Sequence, residues 1–332
     1  MVSALKGQGL LRTYYRDGLR GYRLGRRAKT LLLCEQPERF SFYLTGSTDT
    51  NLLKSEVTRR LRLHRIAAST VMMQNAGVRI FRDEKPDIFT PDGFAPDTFD
   101  MQMLPAFYSS REVKALGPDT VKIHGSRMTG VLLADAGIFL TYAGGSSPSE
   151  WDHRAEQRAK ALLSYILCHV RLPGQYATGD VHGLLLCDDM KALVQIIQEA
   201  NTARRCFFLL DNNYEHFYYL TNDRYGDALL RLLCASDRRA AFDQTLLSEL
   251  APPPLHGLPV ECDALDANGR PVLFAYLPDI PRLGRFLAGL SLHRLQGCIA
   301  CFDFQAKALK QCCGENILFL SINPKTLGFY IR

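Results

Sequence analysis

Along the chain, the first apolar positions, Ala4, Leu5 and Leu10, share one helical face, and Gly9 stands where that helix would end. Strand formers follow: Thr13, Tyr14, Tyr15 and Tyr22 flank Arg16-Asp17-Gly18-Leu19-Arg20-Gly21, whose Asp-Gly pair has the chemistry of a hairpin tip. Tyr22-Arg23-Leu24 returns, and Gly25-Arg26-Arg27-Ala28-Lys29 opens a second helix. Beyond Leu33, CEQPERFSFYLTGSTDTN is polar and turn-rich, which predicts a connection at the first domain boundary. Lys54 to Ala76 then reads as a long helix closing at Gly77, with Val57, Leu61, Ala68, Val71 and Met72 on one face and Arg59, Arg62 and Arg65 on the other.

Val78 to Phe81 reads as a strand, and Asp83 to Pro105 as an irregular stretch. Ser109-Ser110 with Glu112 has the look of a helix start, and Val121-Lys122-Ile123 of a strand beginning. Met128–Leu133 and Gly137–Tyr142 predict antiparallel neighbours around the turn Ala134-Asp135-Ala136-Gly137, followed by a long helix from Pro148 to about Val170. The second half alternates. Strands are predicted at Gly183–Cys187, Cys206–Leu210, Phe217–Leu220, Pro271–Leu277, Cys298–Phe304 and Ile317–Ser321, and helices at Met190–Glu199, Gly226–Ala235 and Gln305–Gln311. This rhythm predicts a mixed α/β protein in three segments, 1–45, 50–175 and 176–332.

Charge adds a polarity that the pattern lacks. Residues 1–30 hold eight Lys or Arg against one acid, Asp17, and residues 1–85 hold seventeen basic against seven acidic side chains. The whole chain is only +6, so everything after residue 85 is net acidic. One end therefore suits a polyanion. The order helix, basic hairpin, helix resembles the recognition helix, wing and following helix of the winged-helix DNA-binding family, over about the last half of that domain. That resemblance implies Lys6, Arg12, Arg16, Arg20, Arg23, Arg26, Arg27 and Lys29, with Arg59 and Arg62 behind them, as nucleic-acid contacts, the helix Lys6 to Leu10 approaching a groove.

Composition narrows the setting. With 332 residues, 47% of them hydrophobic, the chain has enough material for a large core. No run reaches the ~18 apolar residues of a membrane span, and MVSALKGQGLL has no secretory apolar core. Ten irregularly placed Cys fit a reducing compartment, so a bacterial cytoplasm is expected, with no membrane partner.

Candidate chemistry is sparse. Gly179-Asp180-Val181-His182-Gly183 matches the first metal-binding motif of calcineurin-like phosphoesterases, but the chain has no Asn-His pair to complete it. A polar turn before the strand at Leu184 accounts for the same residues. Asp87 with Glu112-Val113-Lys114 has the acid and E-x-K of a restriction-endonuclease-like nuclease, yet lies at a helix start where that family uses a strand; capping explains Glu112. Cys298-x-x-Cys301 with Cys312-Cys313 falls in an apolar strand whose residues three apart face opposite sides, which favours buried thiols over zinc. Trp151, Tyr214, Phe217, Tyr218 and Tyr219 read as core before base-stacking platform. Neither catalytic residues nor a cofactor or metal is expected.

The arginine helix TRRLRLHRIAA with the later blocks SRMTGVLL, IFLTYAGG and GCIACFDFQ is similar to the replication-relaxation family of plasmids and conjugative elements. The resemblance implies a partial winged helix feeding a restriction-endonuclease-like α/β body that need not cut. The expected function is a non-enzymatic DNA-binding or regulatory accessory protein of a mobile element, acting on double-stranded DNA. Two alternatives stand beside it: an interaction module binding a nucleic-acid-binding protein, such as an inhibitor of a host enzyme, and a metal-dependent nuclease.

Overall fold

Gly9 ends the first helix, α1 (Val2–Gly7), by a backbone device: at φ +71° it lets the Leu10 N–H reach Leu5 O at 2.9 Å. The computed structural model describes residues 1–44, 57–90, 99–123, 125–147, 152–200, 213–253 and 258–330. Strands β1 (Leu11–Arg16) and β2 (Leu19–Leu24) pair antiparallel, with Arg16 opposite Leu19. Asp17 and Gly18 turn between them at φ +50° and +76°, the left-handed pair of a type I′ hairpin. Helix α2 (Arg26–Glu35) begins after Gly25, where a Cβ would lie 2.1 Å from the Gly9 carbonyl oxygen, so only glycine fits.

The segment expected as a connection contains helix α3 (Pro37–Leu44). Pro37 at its first position and Glu38 in its first turn are helix-start residues that the turn-rich composition around them obscures. Helix α4 (Val57–Asn75) falls within the span expected from Lys54 to Ala76, whose first three residues lie outside the described ones, and Gly77 follows it at φ +83°. Its buried side differs from the expected stripe, for Ser69, Met72 and Met73 point inward, together with Arg60 near the start, while Val71 is 55% exposed and Ala68 lies outside. Two partners explain this: the first half rests on the hairpin and the second on a sheet, so no single apolar face spans the helix.

Strand β3 (Ala106–Ser109) opens a five-stranded sheet in the order β3-β4-β5-β6-β7. Of the strand expected at Val78–Phe81, only Arg79 pairs, bridging to Ala106. Ser109 caps the short α5 (Ser110–Val113) with Glu112 in a capping box, as the spacing predicts. Val121–Ile123 closes a 3-10 segment, Lys114–Ile123, where a strand was expected; three apolar-leaning residues specify no period, and Ile123 is buried from the helical turn. Strands β4 (Gly130–Ala134) and β5 (Gly137–Ala143) form the predicted antiparallel pair. Helix α6 (His153–Tyr165), capped by Asp152, continues as a π turn through Arg171 and delivers β6 (Val181–Cys187) parallel to β5.

After α7 (Lys191–Ala200) the expected strand Cys206–Leu210 lies outside the described residues, and β7 (Phe217–Thr221) completes the sheet parallel to β6. Helices α8 (Arg224–Leu233) and α9 (Ser236–Leu247) follow. Next come β8 (Ala264–Leu265), β9 (Pro271–Phe274), α10 (Ile280–His293), β10 (Gly297–Phe302), α11 (Asp303–Leu309), β11 (Ile317–Ile322) and α12 (Pro324–Tyr330). These strands make a second sheet, β11-β10-β9-β8, parallel except at β8. The sheets meet where the Tyr219 N–H donates to Pro278 O at 2.8 Å.

Apolar residues fill both faces. Leu185, Tyr219, Phe286 and Ile299 belong to one buried cluster and Leu184, Leu186, Leu230, Phe242 and Phe302 to the other, so adjacent residues of β6 pack on opposite sides. The protein is thus a mixed α/β fold with helices on both faces. Among the described residues no helix is long and apolar enough to cross a membrane.

Candidate nucleic-acid interface

The register of the hairpin decides which way its side chains point. Thr13 is opposite Tyr22 and Tyr15 opposite Arg20, so these four share one face; Tyr14 and Gly21, opposite each other, share the other. The Tyr14 ring lies over Gly21, where a Cβ would come within 2.4 Å of it, and its hydroxyl meets His64 Nε2 of α4 at 3.0 Å. Arg60, 2% exposed, donates to the Asp17 carboxylate at the hairpin tip at 2.9 Å. One face is therefore seated on α4. The other is open: Tyr15 is 73% and Tyr22 48% exposed, and the Arg20 guanidinium stands 5.9 Å from the Tyr22 ring centre.

Of the hairpin cations expected to contact nucleic acid, Arg20 shares this open face, while Arg12 and Arg23 alternate onto the side of Tyr14. Lys6, Arg12, Arg20, Arg26 and Arg27 are exposed and Arg23 and Lys29 half-buried; Arg16 ends β1, and its side chain lies outside those described. Among the described residues no carboxylate ion-pairs with Arg12, Arg20, Arg23, Arg26 or Arg27, and Asp17, the one acid of the first thirty residues, is engaged by Arg60. Arg26 and Arg27 sit in the first turn of α2, the end where the helix dipole disfavours positive charge. An anion docked there relieves that cost.

The α4 arginines divide. Arg59 is exposed, but Arg62 is half-buried, its pKa lowered by burial and by the neighbouring Arg127. Arg65 packs against Gly145 and reaches Asp188 at 3.5 Å. Sequence reasoning passed over Arg60 and His64 as supports of the hairpin and left Tyr15 and Tyr22 unplaced; alternation within RTYYRDGLRGYR, taken with the two-residue turn, separates the faces and would have put both tyrosines on the open one.

The head is clamped to the body through α3. Arg39 donates to Asp83 at 2.9 Å and also to Glu84, Tyr43 donates to Ile80 O at 2.9 Å, and Phe42 lies between the guanidiniums of Arg82 and Arg111. Beneath it the acids of the nuclease-like triplet are engaged by other side chains. Asp87 pairs with Arg82, Lys114 is exposed, and both Glu112 oxygens are taken, Oε2 by Ser109 and Oε1 by the buried Lys85 at 2.8 Å.

The other sequence candidates are structural. Asp180 accepts from the Ala177 N–H at 2.7 Å and shapes the turn before β6. Cys298 and Cys301 enter opposite cores, and burial pushes their thiols up to about 11 and about 12, with Cys312 and Cys313 also at about 12, leaving protonated sulfur rather than thiolate. Tyr214, Phe217, Tyr218 and Tyr219 are all buried, and Trp151 lies outside the described residues.

One polar cavity of about 40 Å³ sits where the sheets meet, lined in part by His216, Tyr218, Arg239, Asp243, Tyr276 and Asp279. It has room for a few waters and not for a nucleotide. His216 Nδ1 lies 2.7 Å from Asp279, and the His182 ring is 5.3 Å from that of His216. Burial, reinforced by His216, drops the His182 pKa to about 4. The unfolded histidine takes its proton near the ordinary value and the folded one only near 4, so the unfolded state binds more protons between them. Stability is expected to fall on acidification through that window, on the order of 3 kcal/mol from this residue. Urea titrations of the wild type and His182→Phe at several pH values check this; an unchanged pH slope in the variant refutes it.

Compared with protein-family models, curated proteins and solved structures, the chain matches none.

Proposed function

We propose that this protein is a DNA-binding accessory protein whose basic hairpin and α2 N-terminus hold the phosphate backbone. The carrying observation is that, among the described residues, no carboxylate ion-pairs with Arg12, Arg20 or Arg23 of the hairpin or with Arg26 and Arg27 of α2, while Asp17, the nearby acid, is already paired. Intramolecular ion pairs normally neutralise such clusters; with none for these five arginines among the described residues, nucleic-acid phosphates would supply the counter-charge. The regulatory, non-cutting role is supported by Glu112, whose carboxylate caps a helix and neutralises Lys85. Support for a nuclease-like ancestry of the body comes from its order, α4, three antiparallel strands, α6 and a parallel strand, and the middle strands GVLLA and GIFLTYA carry no acid. These features suit the replication-relaxation plan of a basic head on a non-cutting body, and so a role in plasmid or conjugative-element DNA maintenance.

Fluorescence anisotropy with a labelled duplex across a salt series tests it. If Arg12, Arg20, Arg23, Arg26 and Arg27 each neutralise a phosphate, log Kd changes with log salt at a slope of roughly 4.5, and Arg26→Ala/Arg27→Ala lowers that slope by about 2. A chain that binds no duplex at low salt is not a DNA-binding protein of this kind.

A further inference from the structure

The two exposed tyrosines exceed what phosphate binding requires. Phosphate contacts need cations and hydrogen-bond donors, which arginines supply; large aromatic rings left in water need a different partner. Tyr15 and Tyr22 share the outward face of the hairpin on diagonal positions, since the direct partner of Tyr22 is Thr13, two residues before Tyr15. Diagonal neighbours stand about 7 Å apart, about twice the 3.4 Å rise per nucleotide. Arg20, opposite Tyr15 and beside the Tyr22 ring, adds a guanidinium to the same surface.

From this arrangement we infer that the hairpin binds unpaired nucleobases, Tyr15 and Tyr22 each stacking on one base of an opened DNA strand while Arg20 beside them meets its backbone. Inside a duplex the flat faces of the bases are covered by their neighbours, and only groove edges and sugars are offered. An opened strand presents those faces. The charge complementarity selects nucleic acid over an apolar protein surface: residues 1–30 hold eight cations and one acid, and that acid is spent on Arg60. The rigid seat of the hairpin on α4, through Tyr14–His64 and Asp17–Arg60, fixes the platform before the strand arrives.

The inference shares the basic surface of the proposed function but specifies opened rather than closed DNA. The test uses the full chain and three labelled probes of one sequence: a duplex, the same duplex with a four-nucleotide bubble, and that bubble built from abasic sites. The bubble is expected to bind more tightly than the duplex by roughly tenfold per stacked base, and the abasic bubble to lose that gain. Tyr15→Ala/Tyr22→Ala should remove the preference and keep duplex affinity, while Tyr15→Phe/Tyr22→Phe should keep both. Both tyrosines are solvent-facing, and the duplex affinity of each variant reports that the head is intact. Equal binding of duplex and bubble, equal binding of bubble and abasic bubble, or a preference that survives both alanines overturns the inference. Loss of duplex binding with bubble binding retained overturns the proposed duplex function and leaves the stacking platform standing; binding to none of the probes overturns both.

Discussion

Glu112→Gln is expected to lower the stability of the folded chain by about 3 kcal/mol, because it strands a buried ammonium. Lys85 and Glu112 have side chains 1% and 5% exposed and meet at 2.8 Å, with the Lys85 Nζ also donating to Ile80 O at 2.9 Å and to Phe107 O. Burial lowers the Lys85 pKa and the carboxylate of Glu112 partly restores it. Glutamine keeps the shape and the cap to Ser109 but removes the restoring charge, so the Lys85 pKa drops further. A folded-state pKa below that of the unfolded lysine means that the unfolded chain holds more protons in between, and stability therefore rises with pH across that alkaline interval. The deficit of Glu112→Gln should accordingly shrink as the pH is raised. Lys85→Met added to Glu112→Gln should recover part of the loss, since two neutral groups need no counter-charge. Urea midpoints for the two variants check this, and a single variant as stable as wild type refutes it. Were Glu112 instead a metal-holding carboxylate, its removal would relieve charge repulsion and raise stability, the opposite sign.

The parts of the fold legible in the sequence are those where local chemistry has one solution. Asp17-Gly18 permits the two left-handed residues of a tight hairpin, Gly9 and Gly77 stop helices, and Ser109 with Glu112 spells a capping box. Runs such as GIFLTYA and HGLLLC also announce buried strands. Tertiary contacts wrote the rest. The inward face of α4 is set by the hairpin and the sheet it lies across, and its Arg60 is buried because Asp17, forty-three residues earlier, waits for it. Helix α9, SDRRAAFDQTLL, shows almost no apolar periodicity and buries only Phe242, which makes it hard to see without the core it plugs. Helix α10 carries Pro281 in its first turn beside a strand-like LPDIP, and its apolar face emerges only where it packs against β7, α7 and Gly297 of β10. For the interface, charge located the region; the division of the hairpin into a seated and an open face required its register and α4 together.

Gly226→Ala is expected to be the most disruptive of the small substitutions, costing about 3 kcal/mol or more. The residue lies in the first turn of α8, held by the Asp223 cap, which accepts the Gly226 N–H at 2.9 Å. A Cβ there would fall 1.7 Å from the Thr221 carbonyl oxygen and 2.9 Å from Met72 Cε. The methionine end can swing away, but the carbonyl belongs to the backbone at the end of β7 and moves only with the strand. The turn from β7 into α8 has to open, and with it the seat of α4, whose Met72 packs there while its other end carries Arg60 and His64 beneath the hairpin. Gly284 in α10 is the control, for nothing lies within 4 Å of its Cβ position, and alanine there should gain roughly 0.5–1 kcal/mol by restricting the unfolded chain and favouring the helix. Urea unfolding of both variants supplies the comparison, and equal midpoints for them would show that β7 and α8 are not packed at this distance. Because the same helix links this contact to the hairpin, Gly226→Ala should also weaken duplex binding at temperatures where the wild type remains folded, whereas Gly284→Ala should leave it unchanged.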